Sequence, residues 1–185
     1  EMDYHMMSGY GILTLVIFRV AWGIIGSTHS RFRSFINLSQ LIPYTKQLLN
    51  RDQTGIKGHN PLGALGIVAM LLVLGTQATT GLFANDDIFL EGPLVHLVDD
   101  ATSDRLTTVH HFCAKALYVL IGLHLIAIIF HELYQRERLV LPMISGYKKG
   151  LPASADKPSF MRESASASLL LAACAGFTYW LINYL

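Results

Sequence analysis

Charged residues are scarce in this 185-residue chain, in which Asp, Glu, Lys and Arg together make up 15% of the sequence. An average soluble protein carries about 25% of such residues. Hydrophobic residues instead reach 52%, and the mean hydropathy is +0.41. This composition exceeds what a soluble domain needs to fill its core, and it indicates a membrane protein. A formal net charge of +1 gives no reason to expect a nucleic-acid partner.

Cysteine is also scarce, and its placement excludes several kinds of site. Cys113 and Cys174 both lie within apolar stretches, and they form neither a CxxC pair nor the CxxCH motif that attaches c-type haem. We interpret them as buried free thiols. The sequence also lacks a catalytic dyad, a nucleophile motif and a phosphate-binding loop, which disfavours independent bond chemistry.

Four long apolar stretches predict four transmembrane helices. They cover about residues 6–25, 61–83, 106–130 and 166–185, and the only charged residues inside them are Arg19 and Lys115. Each stretch is long enough to cross about 30 Å of hydrocarbon as a helix. Four such stretches leave too little of the chain to cover them in a soluble fold. We therefore predict an all-α transmembrane bundle, embedded in a lipid bilayer, that forms a single domain over residues 1–185.

The loops between these stretches alternate in charge, which predicts the orientation of the chain. The first and third loops are basic and the second is acidic, so the positive-inside rule places the first and third in the cytoplasm. The second loop and both chain ends then lie on the periplasmic side of a bacterial inner membrane. The basic residues of the first loop are Arg31, Arg33, Lys46, Arg51 and Lys57. The acidic residues of the second loop are Asp86, Asp87, Glu91, Asp99, Asp100 and Asp104. The basic residues of the third loop are Arg136, Arg138, Lys148, Lys149, Lys157 and Arg162.

Within the first loop, residues 32–50 mix apolar and polar side chains and are interrupted by Pro43. This pattern is typical of short amphipathic helices that lie along a membrane surface. We expect such helices on the cytoplasmic surface of the membrane.

Histidine inside an apolar span is costly, so it indicates function. The third span contains His110, His111 and His124. At about 100° per residue, the 14 positions from His110 to His124 return to within about 40° of the same helix face and rise about 21 Å, whereas His111 lies on another face. A six-coordinate haem iron takes one axial imidazole from each of two facing helices. This spacing therefore favours two haems at different depths over two hydrogen-bonded core histidines.

The haem nearer the outside needs a second ligand at the depth of His110. His5 lies at the outer end of the first span, so its depth matches under the orientation that charge alone predicts. Arg19 follows His5 by 14 positions on the same face. There it either pairs with an anion, which a haem propionate or a neighbouring carboxylate could supply, or extends to the cytoplasmic interface. We expect the other histidines to be loop, cap or solvated helix-end residues, namely His29, His59, His96 and His131.

Several motifs resemble those of the bacterial membrane cytochromes b of the b-561 type, which include the b-type subunits of nickel–iron hydrogenases. The most specific are Phe18-Arg19-Val20-Ala21-Trp22-Gly23 and Gly58-His59-Asn60-Pro61-Leu62-Gly63. The others include Tyr4-His5-Met6, Thr80-Gly81-Leu82-Phe83, His110-His111 and Leu123-His124. The resemblance covers most of residues 4–149, whereas the fourth span is generic.

The resemblance implies two bis-histidine haems b in a bundle of four or five helices. His5 and His110 match one ligand pair, and His124 matches one ligand of the other haem. The family's earlier helix, whose histidine completes the second haem, does not occur in these 185 residues. Either a fifth, N-terminal span precedes Glu1, or the second haem has another ligand, or only one haem is bound.

The leading hypothesis is an electron-transfer subunit of an oxidoreductase system. It would relay electrons between quinone and a partner protein such as a cytochrome c, a hydrogenase or a dehydrogenase. The alternative is a self-contained haem oxidoreductase that acts on a small substrate such as superoxide or ferric ion. A third hypothesis is a haem-free membrane scaffold or transporter.

Overall fold

The computed structural model describes residues 2–27, 30–36, 38–49, 61–86, 91–134 and 160–185. Four long helices dominate these ranges, and each is long and apolar enough to cross a membrane, so the predicted all-α bundle with four spans is confirmed. In chain order, the helices are α1 (Met2–Ile25), α2 (Phe32–Phe35), α3 (Leu41–Leu49), α4 (Pro61–Gly81), α5 (Asp100–Ile129) and α6 (Phe160–Tyr184), with a π-helical turn at Phe130–Tyr134 and 3₁₀ turns at Leu38–Gln40 and Val95–Leu97.

Three of the four long helices begin before the predicted apolar span, whereas α4 begins with its span at Pro61. α5 starts at Asp100, ahead of the predicted span at residue 106, because the Asp99 carboxylate accepts a hydrogen bond of 2.7 Å from the Thr102 amide and caps the helix. This backbone donor lowers the pKa of Asp99. The cap is therefore present at neutral pH and is lost only as the pH falls through the lowered pKa. Hydropathy detects the part of a helix that crosses hydrocarbon, whereas the helix itself continues as far as its backbone is hydrogen-bonded.

The long helices pack in a simple order. α4 packs against α5 and against α1, and α1 packs also against α6. Buried apolar side chains collect where Leu13 of α1 meets Leu82 and Leu94 of the loop between α4 and α5. We call this end of the bundle the loop end. Most other large apolar side chains of the long helices are exposed, as expected for faces that contact lipid.

Hydrogen bonds fix the loop between α4 and α5 to the helix that follows it. Ser103 of α5 is only 1% exposed. Its hydroxyl donates to the Phe83 carbonyl oxygen at 2.7 Å and accepts from the Asn85 side-chain amide at 3.0 Å. The Asn85 backbone amide donates to the Thr107 hydroxyl at 3.1 Å. The end of α4 is thereby held against the first two turns of α5, which fixes the register between the two helices.

The segment predicted to be amphipathic, residues 32–50, contains two short helices, α2 and α3, with a 3₁₀ turn before α3. Pro43 does not interrupt α3 as the sequence suggests. It lies in the first turn, where the proline nitrogen has no helical hydrogen bond to lose. The location of this segment on the cytoplasmic membrane surface stays a prediction.

Candidate functional site

The structure brings His5 of α1 and His110 of α5 together at the loop end. Their ring centroids lie 6.1 Å apart, and the ring planes are nearly perpendicular at 85°. His110 is half-buried between α4 and α5, whereas His5 is exposed. The two residues are far apart in sequence, and the packing of α1 and α5 around α4 places them side by side.

The distance between the two rings is the distance that one shared metal ion requires. A metal–imidazole bond is about 2 Å long, so two imidazoles on opposite sides of one ion have centroids about 6 Å apart. The His111 ring lies at a similar 6.2 Å from His110. However, neighbouring residues of one helix point about 100° apart, so these two rings cannot oppose each other across an ion. The facing pair is therefore His5 and His110.

Gln77 and Thr80 of α4 hold the His110 ring in place. The Nδ1 atom of His110 donates to the Gln77 carbonyl oxygen at 2.9 Å, and the Thr80 hydroxyl lies 3.4 Å from the same nitrogen. Because a carbonyl oxygen only accepts, this bond assigns the proton to Nδ1 and leaves the lone pair on Nε2. The lone pair of His110 Nε2 is therefore able to accept a hydrogen bond or to bind a metal ion, and the side-chain nitrogen of Gln77 lies 3.0 Å from it.

Two adjoining cavities flank the histidine pair, with volumes of about 340 and 320 Å³. The larger has apolar walls that include Leu74, Leu117 and Ile121. The smaller has a polar rim that includes Asn85 and Thr107. Both cavities are lined by the same central residues, which are His5, Met6, Gln77, Gly81, His110 and Ala114. A flat group held between the two imidazoles would therefore extend into both cavities.

The donor set suits a metal that brings most of its own ligands. Among the described residues, no group of three or more His, Cys, Asp and Glu side chains is placed to hold a metal ion. Two imidazoles alone complete the coordination of an iron whose four equatorial ligands come from a porphyrin. The spacing of His5 and His110, the cavities beside them and the fixed Nε2 atom of His110 all fit haem b.

The structure does not bring the other two predicted site residues to this pair. His124 lies on an exposed face of α5. No ring contact between His124 and another histidine occurs in the described part of the chain. Arg19 donates to the Ser30 carbonyl oxygen at 3.3 Å, and its guanidinium carbon lies 4.8 Å from the centre of the Phe32 ring. Arg19 therefore extends toward the segment that follows α1 and away from the histidine pair.

The structure also corrects and completes the sequence reading of individual residues. His131 is only 7% exposed, so the expectation of a solvated helix end is wrong. Cys113 and Cys174 are buried free thiols, as expected. His29 and His59 lie outside the described residues.

Sequence reasoning missed two residues of the site, Gln77 and Gly81. Gln77 is the only carboxamide in the predicted span 61–83, and that isolated polar residue is the signal that could have indicated it. Gly81 belongs to one of the resembling motifs, but nothing in the sequence shows that the His110 ring lies against it.

The fold and the site together define a multi-pass membrane protein whose facing histidines suit a haem between helices. The chain belongs to the prokaryotic cytochrome b561 family, because the sequence profile of that family matches residues 1–146. It is therefore a membrane protein of haem b electron transfer. Neither a curated protein nor a solved structure matches the chain.

Replacing Gly81 by alanine is expected to weaken haem binding about 10- to 100-fold, the usual effect of disturbing a residue that orients a metal ligand. A Cβ atom at Gly81 would lie 2.9 Å from Cε1 and 3.2 Å from Nδ1 of His110, so the ring would have to move away from the Gln77 carbonyl. Haem retention after purification, measured as the pyridine haemochrome, tests this. Gly66→Ala is the matched control in α4, since nothing lies within 4 Å of its added Cβ. Equal haem retention in both variants would contradict the expected role of Gly81.

Proposed function

We propose that this chain relays electrons between a membrane quinone and a protein redox partner through a haem b ligated by His5 and His110. The observation that carries the proposal is the 6.1 Å separation of these two rings between cavities that accept a flat group. The bound haem would supply the one-electron chemistry, since its iron alternates between the ferric and ferrous states. The chain would fix the ligand geometry through Gln77 and exclude water with the apolar side chains of the larger cavity.

We propose a second haem at His124, with Arg19 as a partner for its propionates. His124 belongs to the same stripe of α5 as His110, and its imidazole would otherwise face hydrocarbon, which is costly for a polar ring. The second axial ligand would come from a histidine on a helix that the described residues do not include, or from a neighbouring chain. Two haems at different depths would let electrons cross the membrane.

The charge distribution supports an orientation with the loop end on the periplasmic side. The described part of the loop between α4 and α5, together with the start of α5, carries acidic side chains, whereas the basic residues Arg31 and Arg33 follow α1 at the opposite end. The positive-inside rule then assigns the basic end to the cytoplasm. The His5–His110 haem would exchange electrons with a periplasmic partner such as a cytochrome c or the catalytic subunits of a hydrogenase or dehydrogenase.

The test is reduction of the purified protein in liposomes by a quinol, followed through the optical bands of reduced haem b. We expect the quinol to reduce the haem, and an added soluble redox protein to reoxidise it. The His110→Ala variant reports how much of this signal depends on the loop-end haem. Reduction by superoxide with no response to quinol would overturn the proposal in favour of a self-contained oxidoreductase.

The exposed carboxylates around the loop end predict docking of a positively charged partner. These residues are Asp86, Glu91, Asp99, Asp100 and Asp104, all exposed. We expect the second-order rate of electron transfer to a basic c-type cytochrome to fall about tenfold or more between low and physiological salt, because exposed charges steer association and are screened by ions.

Charge variants locate the effect. Glu91→Gln combined with Asp104→Asn should reduce both the rate at low salt and its salt dependence. Glu163→Gln, at the start of α6 and the opposite end of the bundle, is the matched control. A rate that stays constant across ionic strength would count against docking at this surface.

A further inference from the structure

Gln77 contacts both ring nitrogens of His110. Its main-chain carbonyl oxygen lies 2.9 Å from Nδ1, and its side-chain Nε2 lies 3.0 Å from the Nε2 atom of the imidazole. Gln77 also lines both cavities beside the histidine pair. Gln77 therefore contacts both ring nitrogens of His110. Its carbonyl oxygen lies against Nδ1, and its side chain lies against Nε2, the nitrogen that would bind iron.

The two contacts agree with each other chemically. The carbonyl oxygen requires a proton on Nδ1 of His110, which leaves Nε2 as an acceptor. The side-chain NH₂ group of Gln77 is a donor, so its orientation toward Nε2 matches this tautomer. The lone pair of Nε2 that accepts this bond is also the one that would bind iron, so the amide would turn aside when haem is bound. With the amide placed this way, its oxygen Oε1 is buried and has no hydrogen-bond partner among the described residues. Displaced from Nε2 by iron, the Gln77 amide would be a dipole that can reorient beside the haem.

The surroundings make this dipole effective. The larger cavity is walled by apolar side chains such as Leu74, Ala78 and Leu117. In such a site, polar groups act more strongly than in water, because few other dipoles compete with them. Ferric haem carries one more positive charge than ferrous haem. A polar group that can turn its negative end toward the iron, as the displaced amide can turn its oxygen, therefore stabilises the ferric form relative to an apolar group at the same place.

We propose that Gln77 is a positioning residue that sets the midpoint potential of the haem held by His5 and His110. Its carbonyl fixes the ligating nitrogen of His110, and its side-chain amide supplies the polar group beside that nitrogen. This inference rests on the proposed function, since it requires His5 and His110 to ligate haem.

The experiment compares the reduction midpoint potential of the loop-end haem in three variants by optical redox titration, with haem content measured in parallel. Gln77→Leu removes the amide but keeps the main-chain carbonyl, so we expect haem to be retained and its potential to rise. The expected size is about a two- to tenfold change in the ratio of ferric to ferrous haem at a fixed ambient potential. Gln77→Asn keeps an amide and should fall between the leucine variant and the wild type.

Thr79→Val is the matched control, because it also removes a polar group from α4 but lies exposed and outside both cavities. We expect its haem content and potential to equal those of the wild type. A Gln77→Leu variant with full haem and the wild-type potential would overturn the inference. Equal loss of haem from the leucine and asparagine variants would overturn it too, since only side-chain length would then matter.

The failure of this inference can be told apart from failure of the proposed function. If His110→Ala loses haem while Gln77→Leu keeps the wild-type potential, the ligand assignment stands and the role of Gln77 is wrong. If His110→Ala keeps all of its haem at the wild-type potential, the ligand assignment itself is wrong.

Discussion

The His110→Ala variant is expected to lose the loop-end haem, whereas His111→Ala should retain it. A bis-histidine iron that loses one axial ligand also loses the anchor that orients the porphyrin, so we expect haem affinity at this site to fall by more than about 100-fold. Because of this loss of affinity, the purified His110→Ala variant should contain one haem fewer per chain than the wild type. The pyridine haemochrome, measured relative to protein, counts the haem in each purified variant.

His111 is a demanding control because its ring lies 6.2 Å from His110 on the same helix and lines the smaller cavity. His111 differs from His110 because its side chain lies on another face of α5. His5→Ala should reproduce the loss caused by His110→Ala, since both rings would bind the same iron. Equal loss from the variants at His110 and His111 would contradict the assignment of the facing pair.

The second large effect is expected at His124, whose replacement by alanine should remove a second haem and leave the first in place. His124 is exposed between Leu123 and Leu125, which are 57% and 53% exposed. A neutral imidazole on a face that contacts hydrocarbon costs free energy unless it binds a partner, and an iron-bound haem would provide one. We expect wild-type protein to contain two haems per chain and His124→Ala to contain one.

Redox titration distinguishes which haem is lost, because two haems in different surroundings titrate as two components. The component that survives in His124→Ala should be the one that disappears in His110→Ala. Leu125→Ala tests whether any change on this exposed face has the same effect, and it should keep both haems. A wild-type protein with a single haem that His124→Ala does not remove would refute the second site.

Much of the candidate site follows from sequence because depth in a membrane is nearly one-dimensional. Each residue's distance along an apolar helix fixes its depth, at about 1.5 Å per residue. The charges of the loops predict which end of each helix faces the cytoplasm. His5 and His110 could therefore be matched by depth before any contact between their helices was known. The structure then shows the two rings 6.1 Å apart.

Other features could not be predicted because they depend on rotation and packing about the helix axes. The depth of a residue in the membrane does not predict which face of α4 packs against α5. The contacts of Gln77 and Gly81 with His110 could therefore not be predicted from the sequence. His131 is buried within the π-helical turn that follows α5, and hydropathy does not predict such a turn. The direction of Arg19 depends on the position of the segment after α1, where Ser30 and Phe32 lie.

The sequence alone establishes that this is an all-α membrane protein with four spans, and it predicts histidine as the residue type that holds haem. These properties follow from transfer free energies, which add along the chain and need no knowledge of contacts. Only the tertiary structure decided that α4 lies against α5 with Gln77 at both nitrogens of His110. It also decided that the Gly81 backbone leaves room for that ring. Such contacts arise from close packing between distant parts of the chain, and packing is specified by all of the meeting side chains together.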